Sequence, residues 1–288
     1  MKSASDNQRY NDFCKRAATD DAVFSTFRQN EAFQEILEHF SYEDGLTYLN
    51  QLKKHAPLLL TGINTFKTND NFGGADIHYY EEIGNISPST LHYIRQLAYL
   101  ENSFGNLDGL HLVEIGGGYG GLAKLVMDRF NIASYTIFDL PEVNLLTTKY
   151  LEKFGNQYLD KVIFGNLDEV KNQTYDICVS NCAFTECTPF IQDQYLEKVI
   201  SRAKSGFMIY NFRVESYHPV VIFNKMEALD LKRMGTLPVE DSNANTFILA
   251  WNTQLSLHRL PYRRRFVHKL SPKLYQFGLK IYQGIKNR

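Results

Sequence analysis

The chain has 288 residues, 44% apolar and 14% aromatic, enough for one large domain or a domain with a smaller companion. No apolar run reaches about 18 residues, which excludes a membrane-spanning helix, and the N-terminal stretch MKSASDNQRYNDFCKRAATDD has no hydrophobic segment of the secretory kind. The net charge of −1 hides an asymmetry: nine Lys or Arg and no Asp or Glu lie between Arg259 and Arg288, leaving 22 basic against 32 acidic residues elsewhere, net −10.

The first hundred residues read as mostly helical. NEAFQEILEHFSYEDGLTYLNQL (30–52) repeats apolar residues at helical spacing, including Phe33, Ile36, Leu37 and Phe40. Asp70, Asn71, Gly73 and Gly74 mark a loop, and His78, Tyr79 and Tyr80 are read as part of the loop before the next helix. SPSTLHYIRQLAYLENSF (87–104) predicts a helix with Ser87 as N-cap and Pro88 in its first turn. The turn GNLDG (105–109) is the expected domain boundary.

From residue 110 apolar strands alternate with amphipathic helices. Strands are expected at 111–116, 134–140, 161–166, 175–181, 206–212 and 245–251, and helices at 120–130, 141–154, 189–203 and 219–234. This pattern predicts an α/β fold with a mostly parallel, Rossmann-like sheet covered by helices on both faces. The expected organisation is a helical N-terminal cap and substrate region (1–106), the sheet domain (107–257) and a basic, amphipathic C-terminal tail (258–288). Such a tail reads as an element for an anionic membrane surface.

The chemistry concentrates in VEIGGGYGG (113–121), between the first expected strand and its helix. Glycines there let a ligand approach main-chain N–H groups at the carboxyl end of a strand. The spacing fits a dinucleotide and also fits S-adenosylmethionine. Glu114, two residues before the first glycine, favours S-adenosylmethionine, because a carboxylate there can meet a cationic amino-acid end. Asp139, in FDLPEV, is placed to accept from two ribose hydroxyls and suits either ligand. About 110 residues precede the loop, as in methyltransferases with a cap before the first strand. The expected cofactor contacts are Glu114, Gly116, Gly117, Gly118, Tyr119, Gly120, Asp139, Leu140, Asn166, Leu167 and Asn181. Asn166 has a plain alternative as a turn residue. Asp176 and Asn181, at the start and end of YDICVSN, resemble the D-x-x-x-x-N/H segment of class I methyltransferases, with a turn cap as the alternative for Asp176.

Together, ISPSTLHYIRQL, VEIGGGYGGLAKLV, YTIFDLPEVNLLTTKYL, VSNCAFTEC and LPVEDSNANTFILAW resemble the sugar O-methyltransferase family, over roughly residues 70–252. The resemblance implies a class I methyltransferase fold with a seven-stranded sheet, S-adenosylmethionine as cofactor, and a sugar or glycan acceptor. A sugar hydroxyl is a poor nucleophile near neutral pH, so a base is expected at the carboxyl end of a strand. His218 and Glu186 are the candidates, with Glu215 beside His218. Tyr79 and Tyr80 are candidates for stacking on a sugar ring, with burial in the core as their alternative.

No compact acidic pair suggests a metal. The four cysteines, Cys14, Cys178, Cys182 and Cys187, lack a CxxC pair and read as reduced thiols of a cytoplasmic protein. Nucleic acid is not an expected partner of the acidic body, whereas a second copy of the chain stays open. Two rivals remain. One is an NAD-dependent sugar-modifying oxidoreductase, which would want a Tyr-x-x-x-Lys pair where Tyr195 and Lys198 are one residue too close. The other is a non-catalytic protein that only binds S-adenosylmethionine.

Overall fold

A computed structural model describes residues 6–170, 173–211, 216–237 and 246–257. The basic tail and Glu215 lie outside the described residues. The N-terminal region contains α1 (Gln8–Thr19), α2 (Asp21–Ser25), α3 (Glu31–Gln34), α4 (Tyr42–His55), α5 (Pro57–Thr61) and α6 (Ile63–Lys67). A hairpin of β1 (His78–Tyr80) and β2 (Gly84–Ile86) follows, then the long α7 (Pro88–Phe104). Ser87 caps α7 by accepting from the Thr90 N–H, and Pro88 occupies its first position, as the sequence predicts.

Two expectations fail here. The helical pattern across 30–52 is interrupted, because α3 ends at Gln34 and Ser41 starts a new helix. The Ser41 hydroxyl accepts from the Asp44 N–H while Asp44 accepts from the Ser41 N–H, a reciprocal cap that overrides the apolar periodicity. His78–Tyr80 is a strand, paired antiparallel with Gly84–Ile86, where a loop is expected.

The sheet is built from β3 (His111–Ile115), α8 (Gly121–Arg129), β4 (Ser134–Phe138), α9 (Pro141–Glu152), α10 (Asn156–Leu159), β5 (Val162–Gly165), β6 (Tyr175–Asn181), α11 (Ala183–Glu186), α12 (Pro189–Lys198), β7 (Ala203–Tyr210), α13 (Pro219–Ala228), β8 (Met234–Leu237) and β9 (Phe247–Trp251). Its strand order is β5-β4-β3-β6-β7-β9-β8. Neighbouring strands from β5 to β7 are parallel, and β9 runs antiparallel between β7 and β8. This is the seven-stranded class I methyltransferase topology. The helix expected over 219–234 ends early, and the strand Met234–Leu237 begins at its expected last residue. α13 stops at Ala228, and Asp230 and Arg233 take left-handed backbone angles that turn the chain back to the sheet.

Strand alternation divides the core. Leu112, Tyr135, Ile137 and Val179 face a cluster that also contains Tyr10, Phe27, Leu91, Ile94 and Leu122, so the N-terminal helices share one continuous core with the sheet. Val113, Ile115, Cys178 and Trp251 face the opposite cluster, with Phe184, Tyr195 and Ile222. Strand order reverses between β3 and β6, which opens the crevice at their carboxyl ends where doubly wound sheets bind ligands. No helix among the described residues is long and apolar enough to cross a membrane.

Candidate functional site

The glycine loop leaves β3 at this crevice. Gly116 has φ +81°, and a Cβ on it would sit 2.0 Å from the Ala183 Cβ, so the turn after β6 lies directly against the loop. Gly118 has φ +54°, and a Cβ there would stand 2.9 Å from Leu37 Cδ1. Asp139, just beyond β4, grips the loop: its Oδ2 accepts from the Gly118 N–H at 2.9 Å and its Oδ1 from the Leu140 N–H at 2.7 Å. The Gly118 carbonyl accepts from Thr147 Oγ1 on α9 at 2.6 Å. Each Asp139 oxygen thus retains acceptor capacity for a ligand hydroxyl. Packing around the partly exposed Asp139 raises its carboxyl to about 6, opposed by the N–H groups of Leu140, Gly118 and Gly117.

Glu114 lies beneath the loop and is only 2% exposed. Tyr135 Oη donates to its Oε2 at 2.9 Å. Burial pushes the Glu114 carboxyl up to about 8; the Tyr135 hydrogen bond opposes this and Asp139 adds to it. Among the described residues Glu114 has no cationic partner within salt-bridge distance. A buried carboxylate at the end of a strand is costly without compensation, and a cationic ligand group would supply it.

The Tyr119 side chain belongs to the core. Its ring is fully buried, edge-on to Phe27, Tyr150 and Tyr93, and its hydroxyl accepts from Asn69 Nδ2 at 3.2 Å. The side chain pins the loop to the N-terminal helices, leaving only its backbone to meet a ligand. Nearby, Arg28 is fully buried and binds Glu38 Oε1 at 2.8 Å, Asp70 Oδ1 at 3.0 Å and Ser89 Oγ at 2.7 Å. Burial alone would favour loss of the Arg28 charge, but Glu38 and Asp70 hold it firmly protonated. This network fixes the segment that carries Leu37 over Gly118.

At the other side of the crevice, Asn181 ends β6 and Cys182 turns the chain with φ +62° into α11. Asn211, just after β7, donates to Glu186 Oε1 at 3.0 Å and accepts from Thr185 Oγ1. Glu186 therefore stands at the carboxyl ends of two central strands. His92, on α7, brings Nε2 to 3.1 Å from the Asn181 amide. Phe40 stacks on His92 at 4.4 Å. His92 and Asn211 were not singled out from the sequence. His92 sits inside an ordinary amphipathic helix pattern, and Asn211 is one polar residue after an apolar run.

The remaining predicted residues divide. Leu140 is the N-cap of α9 and partly buried. Asn166 accepts from the Asp168 N–H at 3.0 Å, its turn alternative, and Leu167 follows it, its carbonyl accepting from Lys198. Asp176 lies at the amino end of β6, far along the strand from Asn181, and ties the His111 N–H at 2.8 Å and Lys204 at 2.7 Å. His218 caps α13, Nδ1 accepting from the Val220 N–H at 3.3 Å, and burial lowers its pKa to about 4. Tyr80 is 1% exposed and stacks on Tyr42 at 5.0 Å, so its ring belongs to the core, whereas Tyr79 is 65% exposed. Cys14, Cys178 and Cys187 are buried, Cys182 is partly so, and none of the four is in a disulfide. No cluster of three metal-ligating side chains occurs among the described residues.

No family model matches the sequence, and no curated protein sequence does. Among solved structures, the magnesium protoporphyrin IX methyltransferase of Synechocystis PCC 6803 is similar at 13% identity over 66% of this chain and 94% of that one, with a TM-score of 0.43. The mitomycin 7-O-methyltransferase MmcR is similar at 17% identity, with a TM-score of 0.37. The match covers 56% of each chain, so this chain spans little more than half of that enzyme. An O-methyltransferase family 2 protein from Planctomyces limnophilus is similar at 12% identity over 53% of this chain and 52% of that one, with a TM-score of 0.39.

Proposed function

We propose that the chain is an S-adenosylmethionine-dependent methyltransferase acting on a sugar hydroxyl. The observation that carries the cofactor reading is the pair of carboxylates on adjacent strands, Glu114 buried below the glycine loop and Asp139 clasping Gly118, within a class I methyltransferase sheet. A dinucleotide site would use Asp139 as well, but has no use for a buried carboxylate at Glu114. The sugar acceptor rests on the resemblance of the sequence segments to sugar O-methyltransferases.

Bound S-adenosylmethionine would supply a methyl group on a sulfonium leaving group. Glu114, deprotonated, would compensate the ammonium of its amino-acid end, and Asp139 would accept from the ribose hydroxyls. The backbone of 116–120 would lie along the ligand, with Gly116 free of any Cβ that would close the gap to Ala183. The acceptor oxygen must lose a proton as it gains the methyl group. Glu186 is the better-placed base, because Nδ1 of His218 is committed to capping α13. The test is transfer of labelled methyl from S-adenosylmethionine to a panel of nucleotide sugars and glycans. The reading expects one sugar class to be labelled, with Glu186→Gln slowing turnover at least tenfold. Labelling of no sugar, but of another acceptor class, would overturn the acceptor and keep the cofactor.

A further inference from the structure

α7 buries a polar run, His92 with Arg95, and His92 meets Asn181 at the end of β6. A buried polar group must be hydrogen-bonded or it destabilises the fold, so the partners of this run constrain its protons. Arg95 is 3% exposed and lies with its guanidinium carbon 4.2 Å from the Tyr48 ring centroid. Its Nη2 stands 3.2 Å from His92 Nδ1 and its Nη1 3.4 Å from Gln51 Oε1. His92, 6% exposed, is stacked on Phe40 and tilted against Tyr48, and its Nε2 stands 3.1 Å from Asn181 Nδ2.

These contacts determine the tautomer. A guanidinium has five donors, no acceptor, and does not lose its proton in a protein. Nδ1 of His92 must therefore accept from Arg95. A doubly protonated ring would set donor against donor, and the ring is further kept neutral by burial, by Arg95 and by the nearby His39, which together hold its pKa well below the usual value. The single ring proton is thus on Nε2, and Nε2 donates. Its partner must be an oxygen, which requires the Asn181 amide to be rotated by half a turn, Oδ1 toward His92. Amide oxygen and nitrogen are distinguished by just such a network.

We propose that Arg95 and His92 are positioning residues that lock Asn181 with its amide nitrogen turned away from His92, as a fixed hydrogen-bond donor for the oxygen that receives the methyl group. The role given to the donor rests on the methyl-transfer reading; the locked proton chain does not. His92 is correspondingly no base: its acceptor nitrogen is spent on Arg95. Asn181 holds the acceptor oxygen by a lone pair, and the acceptor proton leaves to another group.

Long-range nitrogen-15 NMR of the histidine rings in the full chain tests the chain without any ligand. The expected result is a His92 ring protonated on Nε2 alone and not titrating over about pH 5 to 8, the range in which an ordinary histidine changes charge. Arg95→Met should release Nδ1 and bring in the second tautomer or titration, and Arg95→Lys, which keeps a donor, should restore the wild-type pattern. A wild-type ring protonated on Nδ1, a titrating ring, or an Arg95→Met spectrum unchanged from wild type would overturn the proposal. The first two outcomes need no variant to fold. Asn181→Asp, isosteric but without the donor, should lower turnover on the labelled sugar at least tenfold. Unchanged turnover would overturn the donor role. Failure of every sugar to be labelled, with the His92 pattern as expected, would count against the acceptor reading alone.

Discussion

The side chain of Leu37 rests on the α-carbon of Gly118: a Cβ added to that glycine would approach Leu37 Cδ1 to 2.9 Å. The wall above the glycine loop is therefore supplied by the N-terminal segment, and the sheet provides only the floor. Gly118→Ala should displace Leu37 and strain a left-handed residue at a cost of about 1–2 kcal/mol. Gly116→Ala should be worse, with a 2.0 Å encounter with the Ala183 Cβ at φ +81°. Thermal denaturation should order the proteins as wild type, Gly118→Ala, then Gly116→Ala, and calorimetry with S-adenosylhomocysteine should show both variants weakened. A Gly116→Ala protein with wild-type affinity would contradict the close approach of the two loops.

Arg28 holds that wall in place through two carboxylates. Removing one partner of a buried ion network leaves charges uncompensated and typically costs about 3–5 kcal/mol. Arg28→Met should lose stability of that order in urea denaturation, with hydrogen exchange rising first across 36–40, where Glu38 loses its cationic partner and keeps only Ser89. Exchange confined to other segments would show that Arg28 does not anchor the wall.

Glu114 links the site to pH. Its folded pKa of about 8 exceeds the ordinary 4.5, so the folded chain binds the extra proton between those values. Its contribution to stability is fully present below the ordinary pKa and declines as pH rises through the window to about 8, by at most about 1.4 kcal/mol per pH unit. Glu114→Gln keeps an acceptor for Tyr135 and never ionises, so it should flatten this decline and be the more stable protein at pH 8. The same change should weaken binding of a cationic ligand end, and wild-type affinity for S-adenosylhomocysteine should rise from pH 6 to pH 8 as the carboxyl becomes free to ionise. Denaturation curves and titrations across that range check both signs.

The central strands of the sheet were legible in the sequence because they are buried on both faces and read as apolar runs such as LVEI and ICVS, each closed by a helix start. The glycine loop was legible because left-handed turns and close approach admit few residues other than glycine. Side-chain destinations were not. Tyr119 and Tyr80 carry the same ring as the exposed Tyr79, and only tertiary packing decides which is buried. Asp176 and Asn181 both belong to β6, but a strand separates its two ends, and only Asn181 reaches the crevice. The break at 35–41 depends on the reciprocal cap of Ser41 and Asp44, which a longer apolar period conceals. The roof over the loop joins residues about eighty positions apart, such as Leu37 and Gly118, and no local pattern announces such a contact.

The central claim is that Glu114, the 116–120 loop and Asp139 hold S-adenosylmethionine or its demethylated product. Titration calorimetry of S-adenosylhomocysteine into the full chain and into Asp139→Ala, with NAD as the competing ligand, tests it most directly. Two hydrogen bonds to a charged carboxylate contribute about 1.5–3 kcal/mol each, so the account predicts binding to the wild type, at least tenfold weaker binding to Asp139→Ala, and no binding of NAD. Tight NAD binding with none of S-adenosylhomocysteine would contradict it.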